Sequence, residues 1–341
     1  MKLITFAVPC YNSAAYMQKC IDSLLSAGDE IEIVIINDGS TDDTGTLADR
    51  YSSLYPDIIR VIHKENGGHG SGVNTGLFHA SGVYFKVVDS DDWLDTKALA
   101  VFMDYLRQSV ASGSCADLII TNFVYDHASD QTEYVSSYRK YFPVNRMFGW
   151  KETKPMYLWH MLLMHALTFR TDLLKKAHVQ LPEHTFYVDN LFAYTPLPSI
   201  KKLYYLDIDL YRYYIGRPDQ SVTIANMSAR YDHQIRVMRS MLKAHSYQEL
   251  ERLEKPLRRH MYHFLYSVMT NTYFFTTQKS DEKRKKDLQS MWDELQENDP
   301  GLYKKMKRAP SVLFLKPFPW KIKGFFSRTG YQILVKFVKL G

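Results

Sequence analysis

Four short apolar segments recur in the first part of the chain, and a polar turn follows each of them. They cover residues 3–8, 31–36, 58–63 and 83–88. The intervals carry apolar residues at helical spacing, as in residues 13–25. Because short strands that alternate with helices form parallel sheets with right-handed crossovers, this pattern predicts an α/β fold. The carboxyl ends of such strands meet at one edge of the sheet, where ligands bind.

The fourth apolar segment leads into a cluster of carboxylates, Asp89, Asp91 and Asp92. Asp89 and Asp91 are two residues apart, so both can point the same way from an extended backbone. Paired oxygen ligands suit Mg²⁺ or Mn²⁺, and such ions usually bind substrate phosphates as well. The alternative is a solvated turn with an Asp as a helix cap. Asp92 is expected to cap or to support its neighbours rather than to bind a metal.

The glycine pattern argues against a dinucleotide-binding dehydrogenase. The first strand-to-helix turn, residues 9–13, has no glycine where the dinucleotide fingerprint belongs. The later repeat of Gly68, Gly70 and Gly72 follows the third strand and has the wrong spacing. No Gly-Lys-Ser/Thr sequence of a phosphate-binding loop occurs. The glycine loop, which contains Gly68, Gly70 and Gly72, is therefore either a flexible connection or a segment whose backbone leaves room for a bulky ligand.

The order of the polar segments along the chain carries a family resemblance. The segments are residues 8–12, 37–42, 66–68 with 74–77, and 89–92. Together they resemble the family 2 glycosyltransferases of bacterial cell-surface polysaccharide synthesis, which share the GT-A fold. The resemblance implies a GT-A catalytic domain over residues 1–222. Its nucleotide-sugar-binding half is residues 1–100 and its acceptor half is residues 101–222.

The same resemblance implies roles in binding the donor. Asp38 resembles the carboxylate that accepts a hydrogen bond from the uracil or other base, and Pro9 and Tyr11 resemble the residues that flank that base. Asp89 resembles the residue that contacts the ribose. Asp91, together with Asp89, resembles the site of a Mn²⁺ or Mg²⁺ ion on the diphosphate. Such an ion offsets the charge on the departing nucleoside diphosphate. The simpler interpretation of Asp38 is a turn former before a glycine.

An inverting transfer needs a base near the acceptor hydroxyl. The resemblance implies that Asp189 is this base, at the start of a helix. Val188 replaces the acidic residue that usually precedes it, which removes a charge that would raise the pKa of the base. Glu183 and His184 are alternatives. Asp189 is otherwise an ordinary carboxylate in the first turn of a helix.

The segment that closes the predicted catalytic domain, residues 211–221, contains Arg217. This arginine either reaches the diphosphate or is a loop charge. The Gln-x-x-Arg-Trp motif of processive family members is absent from the sequence, and so is any uncharged apolar stretch of 18 or more residues. Both observations favour the addition of one sugar per encounter over the extrusion of a polymer.

The carboxyl-terminal third predicts a helical region, residues 223–300, and a basic aromatic tail, residues 301–341. Residues 302–341 contain ten Lys and Arg residues and no acid, whereas the whole chain carries a net charge of +6. Basic residues interleaved with Trp, Phe and Leu are typical of a segment that lies on anionic lipid. We therefore predict an anionic membrane partner for residues 310–341, with a tail packed on the helical region as the alternative. No nucleic-acid-binding motif accompanies the charge.

Composition predicts a cytoplasmic protein, peripheral on the inner face of the cell membrane. Three cysteines are too few for a disulfide framework, and an odd number cannot all pair with one another. Because the first predicted strand begins at residue 3, no signal peptide is expected. The predicted activity is metal-dependent inverting transfer of a hexose or N-acetylhexosamine from a UDP donor to a membrane-associated, lipid-linked saccharide acceptor. The alternatives are a protein acceptor, or a non-catalytic scaffold that binds nucleotide-sugar or membrane.

Overall fold

The computed structural model describes residues 1–127, 132–157, 160–215 and 224–338. The chain divides into two compact units. The first consists of Met1–Lys154 and Leu162–Pro218, and the second of Pro155–Met161 and Asp219–Gly341. Arg217 and the predicted domain boundary at residue 222 lie outside the described residues.

Within the described part of the first unit, ten strands form one mixed sheet. They are β1 (Ile4–Cys10), β2 (Ile31–Asp38), β3 (Ile59–Lys64), β4 (Tyr84–Val87), β5 (Trp93–Leu94), β6 (Leu118–His127), β7 (Glu133–Ser136), β8 (Met147–Phe148), β9 (Leu167–Arg170) and β10 (Leu203–Ile215). The main order is β3-β2-β1-β4-β9-β6-β10-β5, with β7 beside β6 and β8 beside β10. The first four strands are parallel to one another, and β9 runs antiparallel to β4 and β6.

Helices cover this sheet and explain its apolar strands. They are α1 (Met17–Leu25), α2 (Thr44–Leu54), α3 (His69–His79), α4 (Thr96–Ala111), α5 (Thr171–Lys176) and α6 (Asp189–Tyr194). Every residue of β1 and β2 is buried. Strands that are covered on both faces are apolar throughout instead of alternating, as the sequence of β1 shows. The predicted α/β architecture is confirmed, and its first four strands form a parallel part of the sheet.

The strand order determines where the polar turns meet. Strand β1 lies between β2 and β4, and the chain moves away from β1 in both directions. The carboxyl ends of these three strands therefore place residues 9–12, 37–42 and 89–92 at one edge of the sheet. In open α/β sheets, ligands bind at such a point, where the strand order reverses.

The second unit is helical in its described part, which confirms the predicted helical region. Its helices are α7 (Ile224–Ala229), α8 (Tyr231–Ala244), α9 (Tyr247–Arg252), α10 (Lys255–Thr277), α11 (Glu282–Asn298), α12 (Pro300–Met306), α13 (Pro310–Leu315) and α14 (Trp320–Val338). Helix α10 packs against α8, α11, α13 and α14. Of the helices in the described ranges, none is both long enough and apolar enough to span a bilayer.

Candidate active site

Two histidines from distant parts of the chain flank Asp89 at the carboxyl end of β4. The Nε2 atom of His69, the first residue of α3, lies 2.7 Å from Asp89 Oδ1. The Nε2 atom of His165, in a short 3₁₀ turn before β9, lies 3.9 Å from Asp89 Oδ2. The backbone N–H of Asp89 donates to the hydroxyl of Tyr211, on β10. Three elements thus converge on Asp89, which follows a fourth, β4.

Charge explains the pairing of Asp89 with His69. Burial alone would raise the pKa of Asp89, but the two nearby histidines outweigh burial, so the pKa lies below its usual value. Burial would likewise lower the pKa of His69, but Asp89, Asp189 and Asp91 outweigh it and raise this pKa. Each of these two groups therefore favours the charged form of the other.

Asp92 is buried beneath this pair and is bound to β10. Its Oδ2 accepts a hydrogen bond of 2.6 Å from the Tyr211 hydroxyl, and its Oδ1 accepts one of 2.8 Å from the backbone N–H of Tyr214. Burial, together with the charges of Asp91 and Asp89, raises the pKa of Asp92 well above its usual value. The surroundings of Asp92 therefore favour its protonated form, and a bound cation would oppose this.

The acidic cluster is not the cap of the following helix. Helix α4 is capped by Asp95, whose Oδ1 accepts hydrogen bonds from the backbone N–H groups of Lys97 and Ala98 at 3.1 and 3.0 Å. The interpretation of the cluster as a capping turn is therefore wrong, because Asp95 fills that role. The three carboxylates of residues 89–92 need another explanation.

In the described ranges, one group of side chains has the geometry of a metal site. Asp89, Asp92 and His165 each offer one ligand atom, and these atoms lie within 4.8 Å of one another. Burial lowers the pKa of His165 to about 4, although Asp89 pulls it upward, so its imidazole is neutral. Its buried Nδ1 has no hydrogen-bond partner within the described chain. Carboxylates with a neutral imidazole fit a divalent cation such as Mn²⁺. Asp91 does not belong to this group.

Asp38, at the end of β2, is buried inside the glycine loop. Its Oδ1 accepts hydrogen bonds from Lys64 Nζ at 2.7 Å and from the backbone N–H of Gly67 at 2.9 Å. Its Oδ2 accepts one of 2.7 Å from the backbone N–H of Gly68. Gly68 has φ +81°, and a Cβ there would lie 3.2 Å from the backbone of His184. The glycines therefore let the backbone close around Asp38.

Pro9 and Tyr11, the residues predicted to flank the base, lie at the end of β1. A Cβ on Gly72 would lie 2.9 Å from Pro9 Cβ, so α3 packs directly on Pro9. The side chain of Tyr11 is 54% exposed. The hydroxyls of Ser13 and Ser90 are 2.7 Å apart. This hydrogen bond ties the Tyr11 loop to the acidic cluster.

Side chains of α3 hold the loop that precedes the predicted base. Asn74 exchanges two hydrogen bonds with the backbone of Leu181, at 2.8 and 2.9 Å. The hydroxyl of Ser71 donates to Glu183 Oε1 at 2.8 Å. Glu183, an alternative base in the sequence, therefore has a structural partner on α3.

The same loop has strained backbone next to Asp189. His184 and Tyr187 have φ values of +45° and +66°, which side chains with a Cβ rarely adopt. The backbone N–H of His184 donates to the carbonyl of Gly67 at 2.6 Å, which holds the strained segment on the glycine loop. Such conformations concentrate at functional sites and persist only where the surroundings enforce them.

Asp189 is the first residue of α6. Burial raises the pKa of Asp189, and Asp89 raises it further, although His69 opposes the change. A carboxylate with a raised pKa is a stronger base near neutral pH. Val188, which replaces the acid of the family pattern, is fully buried. The raised pKa therefore does not require an acidic neighbour in the sequence.

Lys86 is a charged residue inside β4 that sequence reasoning missed. It is fully buried, and its Nζ donates to the carbonyls of His165 and Leu167 at 2.6 and 3.3 Å. The same Nζ lies 5.3 Å from the centre of the Tyr211 ring. Lys86 thus anchors the turn that carries His165. The signal in the sequence was a lysine within an otherwise apolar strand.

Burial lowers the pKa of Lys86 from 10.5 to about 7, which makes a test in solution possible. Between about pH 7 and pH 10.5, Lys86 binds more protons in the unfolded chain than in the folded chain. The contribution of Lys86 to the free energy of unfolding therefore rises with pH across this window. We expect that rise, measured by urea unfolding, to be missing in the Lys86→Met variant. Parallel pH profiles for the two proteins would contradict the assignment.

Comparison with known proteins identifies the family. The model of glycosyl transferase family 2 matches residues 5–170. The uncharacterized glycosyltransferase EpsJ of Bacillus subtilis (strain 168) is 32% identical over 227 residues, covering 62% of this chain and 60% of that protein. The uncharacterized glycosyltransferase MG025 homolog of Mycoplasma pneumoniae is 30% identical over 229 residues, covering 65% and 71% respectively. The chain belongs to family 2 of the glycosyltransferases.

A solved structure agrees in fold. The crystal structure of S. aureus TarS 1-349 in complex with UDP-GlcNAc matches with a TM-score of 0.65 and 19% sequence identity, covering 96% of this chain and 89% of that chain. The predicted GT-A fold is therefore confirmed. The chain spans less than two thirds of the length of EpsJ, 60%.

Proposed function

We propose that this protein is a metal-dependent inverting glycosyltransferase that uses a UDP-sugar donor. The proposal rests on one observation: Asp38, Asp89 and Asp189 lie together around the start of α3. Asp38, which is predicted to bind the nucleotide base, accepts hydrogen bonds from the glycine loop. The loop that precedes Asp189 is hydrogen-bonded to the same glycine loop. The UDP-GlcNAc bound to TarS, on a similar fold, supports UDP as the nucleotide. The sugar is a hexose or N-acetylhexosamine.

Asp38 retains the capacity to bind a base. A carboxylate offers about four acceptor positions. Lys64, Gly67 and Gly68 occupy three of them. One position remains for an N–H group of the base, and the exposed ring of Tyr11 supplies a surface on which the base stacks.

The metal assignment rests on Asp89, which the sequence and the geometry share. The sequence pairs Asp89 with Asp91, whereas the geometry groups it with Asp92 and His165. A bound Mn²⁺ or Mg²⁺ ion supplies charge stabilisation for the departing diphosphate. A histidine in the ligand set favours Mn²⁺, because Mg²⁺ prefers oxygen ligands and retains its waters.

Asp189 is the general base in this proposal. It takes the proton of the acceptor hydroxyl, whose oxygen forms the new bond to the anomeric carbon as the bond to the nucleoside diphosphate breaks. His69, whose pKa three nearby carboxylates raise despite its burial, lies among the groups that line this edge. The acceptor is a lipid-linked saccharide of cell-surface polysaccharide synthesis, reached from the cytoplasmic side. The acid-free basic tail supports a membrane location.

The donor role of Asp38 is tested by calorimetry with UDP. We expect Asp38→Ala to weaken UDP binding by about 1.5–3 kcal/mol, because a hydrogen bond to a charged group is lost. The control is Lys64→Met, which removes one partner of Asp38 but keeps the carboxylate, and which should bind UDP nearly as the wild type does. An unchanged dissociation constant in a folded Asp38→Ala protein would reject the role.

A further inference from the structure

Helices α13 and α14 of the second unit expose a row of apolar side chains. The exposed fractions are 52% for Leu313, 54% for Phe314, 44% for Ile322 and 69% for Phe325. In the described part of the second unit, Tyr157 is the only other large hydrophobic residue that is exposed. We call these four residues the aromatic ridge.

Helix α14 is docked through small and polar residues, which leaves Ile322 and Phe325 facing outward. A Cβ on Gly324 would lie 2.4 Å from the carbonyl oxygen of Thr277, so the two backbones touch. The Ser327 hydroxyl is buried 3.0 Å from that of Thr277. Arg328 donates to the side chain and the carbonyl of Gln278 at 2.9 and 2.8 Å. A helix normally turns its apolar stripe to the core, and here the described part does the reverse.

Aromatic contacts join the ridge across the two helices. The ring of Phe318 stacks on that of Phe326 and lies 5.9 Å from that of Phe314, centre to centre. Phe325 packs edge-on against Phe326. Val312 and Leu315 are buried beneath. The ridge is therefore a supported surface and not a set of separate side chains.

Positive charge surrounds the ridge. Lys316, Lys321 and Arg328 are exposed, and residues 302–341 contain no acid. Ser280 contacts the backbone of Lys321, and the two acids that follow it, Asp281 and Glu282, are paired with Arg284 and Lys285. Exposed apolar area beside basic charge is complementary to an anionic lipid surface. A nucleic acid would leave the aliphatic side chains of the ridge without a partner.

We propose that the aromatic ridge binds the surface of an anionic lipid bilayer. Its apolar side chains enter the boundary between headgroups and acyl chains, and Lys316 and Lys321 contact anionic headgroups. The sequence left an interfacial tail and a packed tail as alternatives. The described part of the tail packs with one face and exposes the other, so both properties belong to the same helices. This binding goes beyond glycosyl transfer and needs neither donor nor metal.

Sedimentation of the full chain with vesicles tests the proposal. We expect binding to vesicles of equal parts phosphatidylglycerol and phosphatidylcholine, weaker binding to phosphatidylcholine alone, and a decrease with salt, because ions screen charge beyond about 8 Å at physiological ionic strength. Phe314→Ser with Phe325→Ser should lower the apparent affinity at least tenfold. Lys316→Glu with Lys321→Glu should remove the preference for anionic vesicles. The control Phe78→Ser, at a residue 77% exposed in the first unit, should bind normally.

Three outcomes would overturn the proposal. They are no binding by the wild type, equal binding by the Phe314→Ser/Phe325→Ser variant, and a wild-type dimer that this variant dissociates without any effect on vesicles. If the double variant melts without cooperativity, Phe325→Ser alone replaces it, because that side chain is mostly solvent-exposed. UDP affinity should be the same in wild type and variants, so a failed ridge is distinguishable from a failed donor site.

Discussion

The Asp189→Asn variant should lose transfer activity by about 10²–10⁴-fold in kcat, the usual contribution of a positioned general base. The substitution keeps the size of the side chain and removes its basicity, so the dissociation constant for UDP should not change. In the wild type, kcat should fall as the pH drops through the raised pKa of Asp189, because protonation removes the base. That limb of the pH profile should disappear in the variant.

Glu183→Gln is the matched control for this experiment. It lies in the same loop and makes the same chemical change, but Glu183 accepts a hydrogen bond from Ser71. We expect only a modest loss of activity in this variant. If Glu183→Gln abolishes transfer and Asp189→Asn leaves it intact, Glu183 is the base and our assignment is wrong.

The second large effect is expected for Asp89→Asn. This change removes the carboxylate that the two predicted ligand sets share and that pairs with His69. We expect a loss of turnover of about 10³-fold or more, because a metal ion supplies several kcal/mol of transition-state stabilisation. Binding of Mn²⁺, followed by electron paramagnetic resonance, should weaken in parallel. The control Asp49→Asn changes an exposed carboxylate that pairs with His63 and should have no effect.

Two more variants in the same assay show which residue binds the metal together with Asp89. Weaker Mn²⁺ binding in Asp91→Asn, with normal binding in His165→Ala, would support the ligand pair predicted from the sequence. The opposite result would support the group that the geometry defines. Normal Mn²⁺ binding and normal turnover in Asp89→Asn would contradict the metal site as a whole.

The meeting of the polar turns at one edge of the sheet was predictable because its signals are local. Asp38 and Asp89 each lie at or just past the carboxyl end of an apolar strand, and the parallel crossover rule brings the ends of those strands together. Pro9 and Tyr11 were placed by the same reasoning. A turn pattern of a few residues is enough when topology determines where the turn lies.

The partners of Asp89 were not predictable in the same way. His165 lies 76 residues further along the chain and stands in an apolar run, residues 162–167, which resembles core. His69 stands among glycines, a pattern that is also typical of a flexible loop, whereas the structure packs this loop around Asp38. Contacts of this kind depend on tertiary packing, for which one sequence carries no local signal. Lys86 is the exception, because a lysine within a buried strand must find partners.

The tail shows a different limit. Its composition predicts a basic aromatic segment but does not say which residues pack against the protein. Gly324 and Ser327 decide this, because only small residues allow α14 to approach Thr277 closely. Removing residues 310–341 would also remove the buried side chains of Val312 and Leu315 and so expose the core residues that they cover. Point substitutions in the ridge are therefore a sharper test than truncation.

The most direct test of the central claim is release of UDP from a panel of UDP-sugars by the purified protein, which needs no acceptor because water replaces it slowly. We predict that at least one UDP-sugar is hydrolysed in the presence of Mn²⁺ or Mg²⁺. Release should stop when the metal is chelated and should be absent in Asp89→Asn. UDP release that is equal in Asp89→Asn and wild type, or no release from any donor by folded, metal-loaded protein, would contradict a metal-dependent UDP-sugar transferase.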